Sequence, residues 1–152
     1  MMNRRDLLAR TASVAGLLAA AGLLPAEAQA AWNAAAFEAK SLADAVKGLG
    51  GSAPVESKDV SLTAPDIAEN GAVVPVAAST TLAGVKRLAF VIEKNPAALA
   101  AVFELSEHIE PSVAARVKMG QSSQVYAVAL MADGRVFYTG KEVKVTLGGC
   151  GG

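Results

Sequence analysis

At 152 residues, with 14 basic side chains against 14 acidic ones, the chain carries no charge excess or basic block that would draw it to nucleic acid or to an anionic membrane. More than half of its residues are apolar, enough for one domain to bury a core without disulfides or metal. Its lone cysteine, Cys150, has no partner within the chain, which leaves a reactive thiol or an intermolecular one.

Residues 1–30 read as an export signal. Asn3-Arg4-Arg5-Asp6-Leu7-Leu8 is a twin-arginine pattern, residues 11–24 are apolar, and Ala28-Gln29-Ala30 offers a cleavage site after Ala30 or Ala28. The apolar stretch falls short of the ~20 residues a membrane-spanning helix needs, and Pro25 follows it. The expectation is a periplasmic protein exported by the twin-arginine route, with no membrane association after cleavage.

The carrier domain, residues 31–147, then begins with a predicted amphipathic helix over 32–49. Trp32, Phe37, Leu42, Val46 and Leu49 fall near helical spacing, and Gly48, Gly50, Gly51 and Pro54 stop the helix. Trp32 and Phe37 are expected to pack that helix, with a partner interface as the second reading. Strands are expected afterwards. Val60 and Leu62 alternate with polar residues, and Asn70-Gly71 signals a hairpin ahead of 72–78. Pro65 and Pro75 confine their segments to edges or irregular ends. In 85–92, Leu88, Phe90 and Ile92 face one way and Ala89 and Val91 the other, as in a strand buried on both faces. Residues 99–105 and 113–119 are further candidate strands, although the alanines of 97–102 suit a helical turn equally. Residues 124–131 and 135–139 form a hairpin about Asp133-Gly134. Gly140 marks a bulge or turn before a last strand in which Val143, Val145 and Leu147 share a face. Six to eight short strands with polar turns predict a mainly β fold, an antiparallel immunoglobulin-like β-sandwich with an N-terminal helix and a flexible C-terminal glycine arm. The cysteine–tryptophan core pattern of true immunoglobulin domains is absent.

The arm is residues 148–152, in which Gly148, Gly149, Gly151 and Gly152 flank Cys150. Glycine offers nothing to pack and loses most entropy on being fixed, so this composition favours a presented thiol over a buried one. Extended, the arm carries the sulfur about 10 Å beyond the last strand. It supplies no cation, helix N-terminus or paired base to activate the thiol, so the chemistry must come from partners. That is the logic of a covalent carrier and not of an enzyme.

The Gly-Gly-Cys-Gly-Gly ending, the twin-arginine signal, and Ala64-Pro65-Asp66-Ile67-Ala68-Glu69-Asn70-Gly71 followed by Val73-Val74-Pro75-Val76 together resemble the SoxY family of sulfur carriers. The resemblance implies covalent attachment of thiosulfate-derived sulfur to Cys150, with no cofactor. It implies a heterodimer with a SoxZ-like subunit, loading by a SoxAX-like cytochrome, sulfate release by a SoxB-like hydrolase, and in some systems a sulfur dehydrogenase. Two other classes compete. A ubiquitin-like carrier would hold sulfur on the Gly152 carboxyl, but it needs cytoplasmic activation. A periplasmic immunoglobulin-like binding or adhesion module would use a sheet edge, with an incidental thiol.

The remaining polar residues carry blander readings. His108 between Glu107 and Glu110 lacks a recognised metal-ligand spacing. Asp66 and Glu69 suit solvation and local hydrogen bonding in a turn. Lys86 and Arg87 read as outward strand charges, with contact to anionic cargo as the second reading.

Overall fold

Strand-forming sequence dominates the residues that the structure, a computed structural model, describes: 33–148, together with Asn3 and Ser13. The chain divides into two units, Met1–Trp32 and Asn33–Gly152, and the elements below belong to the second. The expected signal segment, apart from Asn3 and Ser13, lies outside the described residues, as do Trp32, Gly149, Cys150, Gly151 and Gly152. In chain order the elements are α1 (Ala34–Phe37), α2 (Leu42–Gly48), β1 (Val55–Glu56), β2 (Val60–Thr63), β3 (Ile67–Ala68), β4 (Val74–Thr80), β5 (Val85–Ile92), β6 (Leu99–Glu104), β7 (Ser112–Val117), β8 (Ser123–Met131) and β9 (Val136–Val145). Among the described residues no helix is long and apolar enough to cross a membrane.

Two sheets face each other. The larger runs β1-β9-β8-β5-β6 with β3 also on β9, and the smaller runs β2-β4-β7. All long pairings are antiparallel; only the two-residue strands β1 and β3 run parallel, both against β9. The central position of β5 explains its unbroken apolar sequence. Leu88, Phe90 and Ile92 enter the core between the sheets with Val74, Val76 and Val125, whereas Ala89 and Val91 lie under the helices with Ala36, Ala45 and Val46. The result is the expected immunoglobulin-like sandwich, with a thin helical layer on the outer face of the larger sheet.

Local chemistry sets three departures from the sequence expectations. The helix over 32–49 is two short helices. Ser41 adopts an extended backbone (φ −141°, ψ 166°) and its hydroxyl accepts from the Asp44 N–H, capping α2 afresh. Gly48 lets α1 and α2 cross closely, since a Cβ there would lie 2.6 Å from the Ala36 Cα, and the Asn33 side chain donates to the Gly48 carbonyl at 2.7 Å. Arg87 fastens this layer to the sheet, donating to the Leu49 carbonyl at 2.8 Å; its role is structural anchoring.

The second departure is at Gly140, which neither bulges nor turns the chain. It pairs with Tyr126 inside a continuous β9, and a Cβ there would fall 2.6 Å from the Tyr126 ring. The glycine makes room for an aromatic side chain across the ladder. The third departure is at Asn70-Gly71, where there is no hairpin: β4 pairs with β2 and β7, and the preceding β3 pairs with β9. Asn70 instead closes an Asx turn, its side-chain oxygen accepting from the Ala72 N–H at 2.9 Å. Of the alanines after Pro96, Ala100 and Ala101 belong to a strand, β6, which pairs with β5, and Ala97 and Ala98 precede it. Pro75 sits where β4 has β7 on one side and lies outside the register with β2, so its missing N–H breaks no ladder.

Candidate functional site at the root of the C-terminal arm

Gly148, the last described residue, ends a segment held by the motif that the sequence singled out between Ala64 and Gly71. β3 adds to the end of β9 in parallel: the Lys144 N–H donates to the Asp66 carbonyl at 3.0 Å and the Thr146 N–H to the Ala68 carbonyl at 3.1 Å. The Thr146 hydroxyl reaches the Glu69 carbonyl. Gly71 is the node of the arrangement. Its N–H donates to the Leu147 carbonyl at 2.8 Å and its carbonyl accepts from the Met119 N–H at 2.7 Å, tying the end of β9 to the chain that leaves β7. On the other side of β9, the Ser122 hydroxyl accepts from the Val145 N–H at 2.8 Å. The backbone is thereby bonded on one edge through Leu147, three residues short of Cys150, and on the other through Val145.

Gly148 is exposed, yet its surroundings are tight on one side: a Cβ added there would overlap the Gly120 carbonyl oxygen. The first glycine of the predicted arm thus satisfies a close backbone approach, independently of any need for mobility. Around this root the side chains of Ile67, Val73 and Leu147 are exposed. None of Gly120, Ser122 or Met119 was legible as part of the site from sequence. The only signal is the polar, glycine-containing run Gly120-Gln121-Ser122-Ser123, which looks like any turn.

Lys141 supplies the electrostatic fastening. Its ammonium lies 2.8 Å from the Asp66 carboxylate and donates to the Ala64 carbonyl at 2.9 Å. The hydrogen bond to Asp66, and then the lysine charge, hold the Asp66 carboxyl below its ordinary 3.8. Since the folded value is the lower one, the stabilisation is complete above the unfolded value and fades as pH falls through the folded one. Lys141→Met is expected to raise the Asp66 titration midpoint toward 3.8, read from its side-chain carboxyl carbon by NMR. An unmoved midpoint would remove Lys141 as the cause.

Glu107, His108 and Glu110 are exposed on the connection between β6 and β7. No group of three or more His, Cys, Asp or Glu that could hold a metal occurs among the described residues.

The comparisons with known proteins agree with this architecture. The family model described as "Sulfur oxidation protein SoxY" matches residues 46–150, a span that begins in α2, includes the motif around Gly71 and ends on the cysteine. The sulfur carrier protein SoxY from Chlorobium limicola f thiosulfatophilum is similar in structure, with 31% identity and a TM-score of 0.61, over 68% of this chain and 94% of that one. A single-residue variant of superoxide reductase (neelaredoxin) from Ignicoccus hospitalis has 18% identity and a TM-score of 0.50, over 57% of this chain and 78% of that one, a likeness of fold alone. No curated protein matches the chain. With a family match over residues 46–150 and a sandwich shared with a member of the family at 31% identity, the chain belongs to the family of sulfur oxidation protein SoxY.

Proposed function

We propose that this protein is a covalent carrier of thiosulfate-derived sulfur, that the carrying atom is the Sγ of Cys150, and that the chain itself catalyses nothing. The observation that carries the reading is the family match, which ends on Cys150, beyond a strand whose backbone is bonded through Leu147. A rigid root followed by Gly-Gly-Cys-Gly-Gly suits a thiol that enters clefts too narrow for the sandwich.

In the proposed cycle the Cys150 thiolate and the outer sulfur of thiosulfate form an S–S bond, and two electrons leave to a SoxAX-like cytochrome. A SoxB-like hydrolase then adds hydroxide to the terminal sulfonate sulfur, releasing sulfate and leaving a persulfide on Cys150. A sulfur dehydrogenase would draw further electrons from that sulfane sulfur. The carrier works in the periplasm after twin-arginine export and is paired with a SoxZ-like subunit. The pattern at residues 1–30 supports the export route.

Intact-mass analysis of protein recovered from cells given thiosulfate tests the attachment. The expected result is a sulfane- or thiosulfonate-sized gain, removed by reductant and mapping to the peptide that contains Cys150. A gain on the Gly152 carboxyl, or none in either place, would overturn the reading.

A further inference from the structure

Five large apolar side chains are exposed among the described residues, and three of them, Ile67, Val73 and Leu147, stand at the root of the arm. The other two lie at the opposite end of the sandwich. Val55 pairs with Phe137 near the start of β9, and Ile109 is on the connection that enters β7, whose other end leads to Met119 and Gly71. Single exposed apolar residues are ordinary on a protein surface, whereas their concentration in one place marks a contact region.

All three are presented on bonded backbone. Ile67 sits between the Asp66 and Ala68 carbonyls, which accept from Lys144 and Thr146, and the Leu147 carbonyl accepts from the Gly71 N–H. Val73, just beyond Gly71, donates its own N–H to the Asn70 carbonyl at 3.4 Å. A side chain carried on a fixed backbone loses little freedom when a second surface covers it. Asp66, Glu69, Lys144 and Thr146 are exposed beside them in the chain, and apolar side chains set among polar ones are the usual composition of a protein contact.

Two further residues and a cysteine side chain extend at most about 10 Å from Gly148, whichever course the chain takes. A reacting group in another protein meets the Cys150 sulfur only by coming within that distance of Gly148, and the mouth of its cleft then lies against Ile67, Val73 and Leu147. We propose that these three side chains are a docking collar, on which partner enzymes seat the apolar rim of a cleft whose reacting group is no more than about 10 Å below its mouth. The inference rests on the carrier reading of Cys150 and adds to it the surface that each loading or unloading enzyme covers and the depth of cleft it needs. One collar serves partners of different chemistry, because it is set by the reach of the arm and not by the cargo.

The test measures thiosulfate-dependent electron release by the complete set of partner enzymes as a function of carrier concentration, the carrier being the mature chain with its second subunit. In I67S/L147S the concentration giving half the maximal rate should rise about tenfold, as on removal of two central contacts of an interface, with the maximal rate within about twofold of the original. I67M/L147M, which keeps the apolar area, should keep the original value. V55S/I109S, with the same kind of loss at the other end of the sandwich, should stay within about twofold of it. Cys150 is the only thiol in the sequence, and methyl methanethiosulfonate, which needs no docking surface, should label it at one rate in all of these proteins. A half-maximal concentration unmoved in I67S/L147S, raised equally in V55S/I109S, or raised as far in I67M/L147M, overturns the collar and leaves the carrier intact. Loss of the second subunit from I67S/L147S on gel filtration assigns these residues to the subunit interface and overturns the collar likewise. Electron release undiminished in C150S overturns the carrier reading and the collar together.

Discussion

Cys150→Ser abolishes thiosulfate-dependent electron release when the protein is assayed with its complete set of partner enzymes, while its melting behaviour and its association with a second subunit stay as they were. A hydroxyl has neither the acidity nor the nucleophilicity to replace a thiolate in forming an S–S bond, so activity should fall to the no-carrier background. The folded unit should not register the change. The residue follows Leu147, whose carbonyl accepts the last backbone bond among the described residues, by three positions, and on a surface arm a one-atom change typically moves stability by less than about 0.5 kcal/mol. The pairing of complete functional loss with an intact domain separates a carrier from an immunoglobulin-like adhesion module, whose sheet edges do the binding. Residual turnover in the variant above the no-carrier level would place the sulfur elsewhere.

What the sequence made legible follows the range of the forces involved. Cys150 is proposed from sequence alone, because its neighbours in the chain, four glycines, are themselves the chemical context. The two-faced burial of β5 was readable because five consecutive apolar residues from Leu88 to Ile92 leave a strand no solvent face. Gly140 was misread because the reason for it is across the ladder: the Tyr126 ring lies some fourteen positions away in sequence and is adjacent only after β8 and β9 pair. Asn70-Gly71 has the composition of a hairpin turn, but the parallel pairing of β3 with the end of β9 sends the chain elsewhere. The same long-range pairing turns that dipeptide into part of the socket for the arm. Ser41 was a local signal passed over, a capping residue inside what looked like a single apolar period. The tie between Asn95 and Gly120 had no sequence signature, since the two residues meet only when the turn after β5 packs against the end of β7.

The opposite experimental profile is expected from Phe90→Ala. Phe90 is fully buried in the middle of β5, with β8 and β6 on either side and its ring edge-on to Phe103 at 6.1 Å. It stands in the core between the sheets, where Leu88 and Ile92 flank it on the same face of the strand. Removing the ring forfeits its burial and its edge-to-face contact and leaves a void that ladders on both sides of β5 prevent from collapsing. Such truncations cost about 3–5 kcal/mol, against the roughly 5–15 kcal/mol that holds a domain of this size folded. The urea midpoint should drop accordingly with an unchanged slope. At low urea, where the domain is still folded, Cys150 should react with a neutral thiol reagent at the original rate, because the arm's root depends on bonds among β3, β9 and Gly71 and not on this ring. A labelling rate that changed in step with the loss of stability would mean that the thiol is exposed by opening of the sandwich and not by its place beyond Leu147.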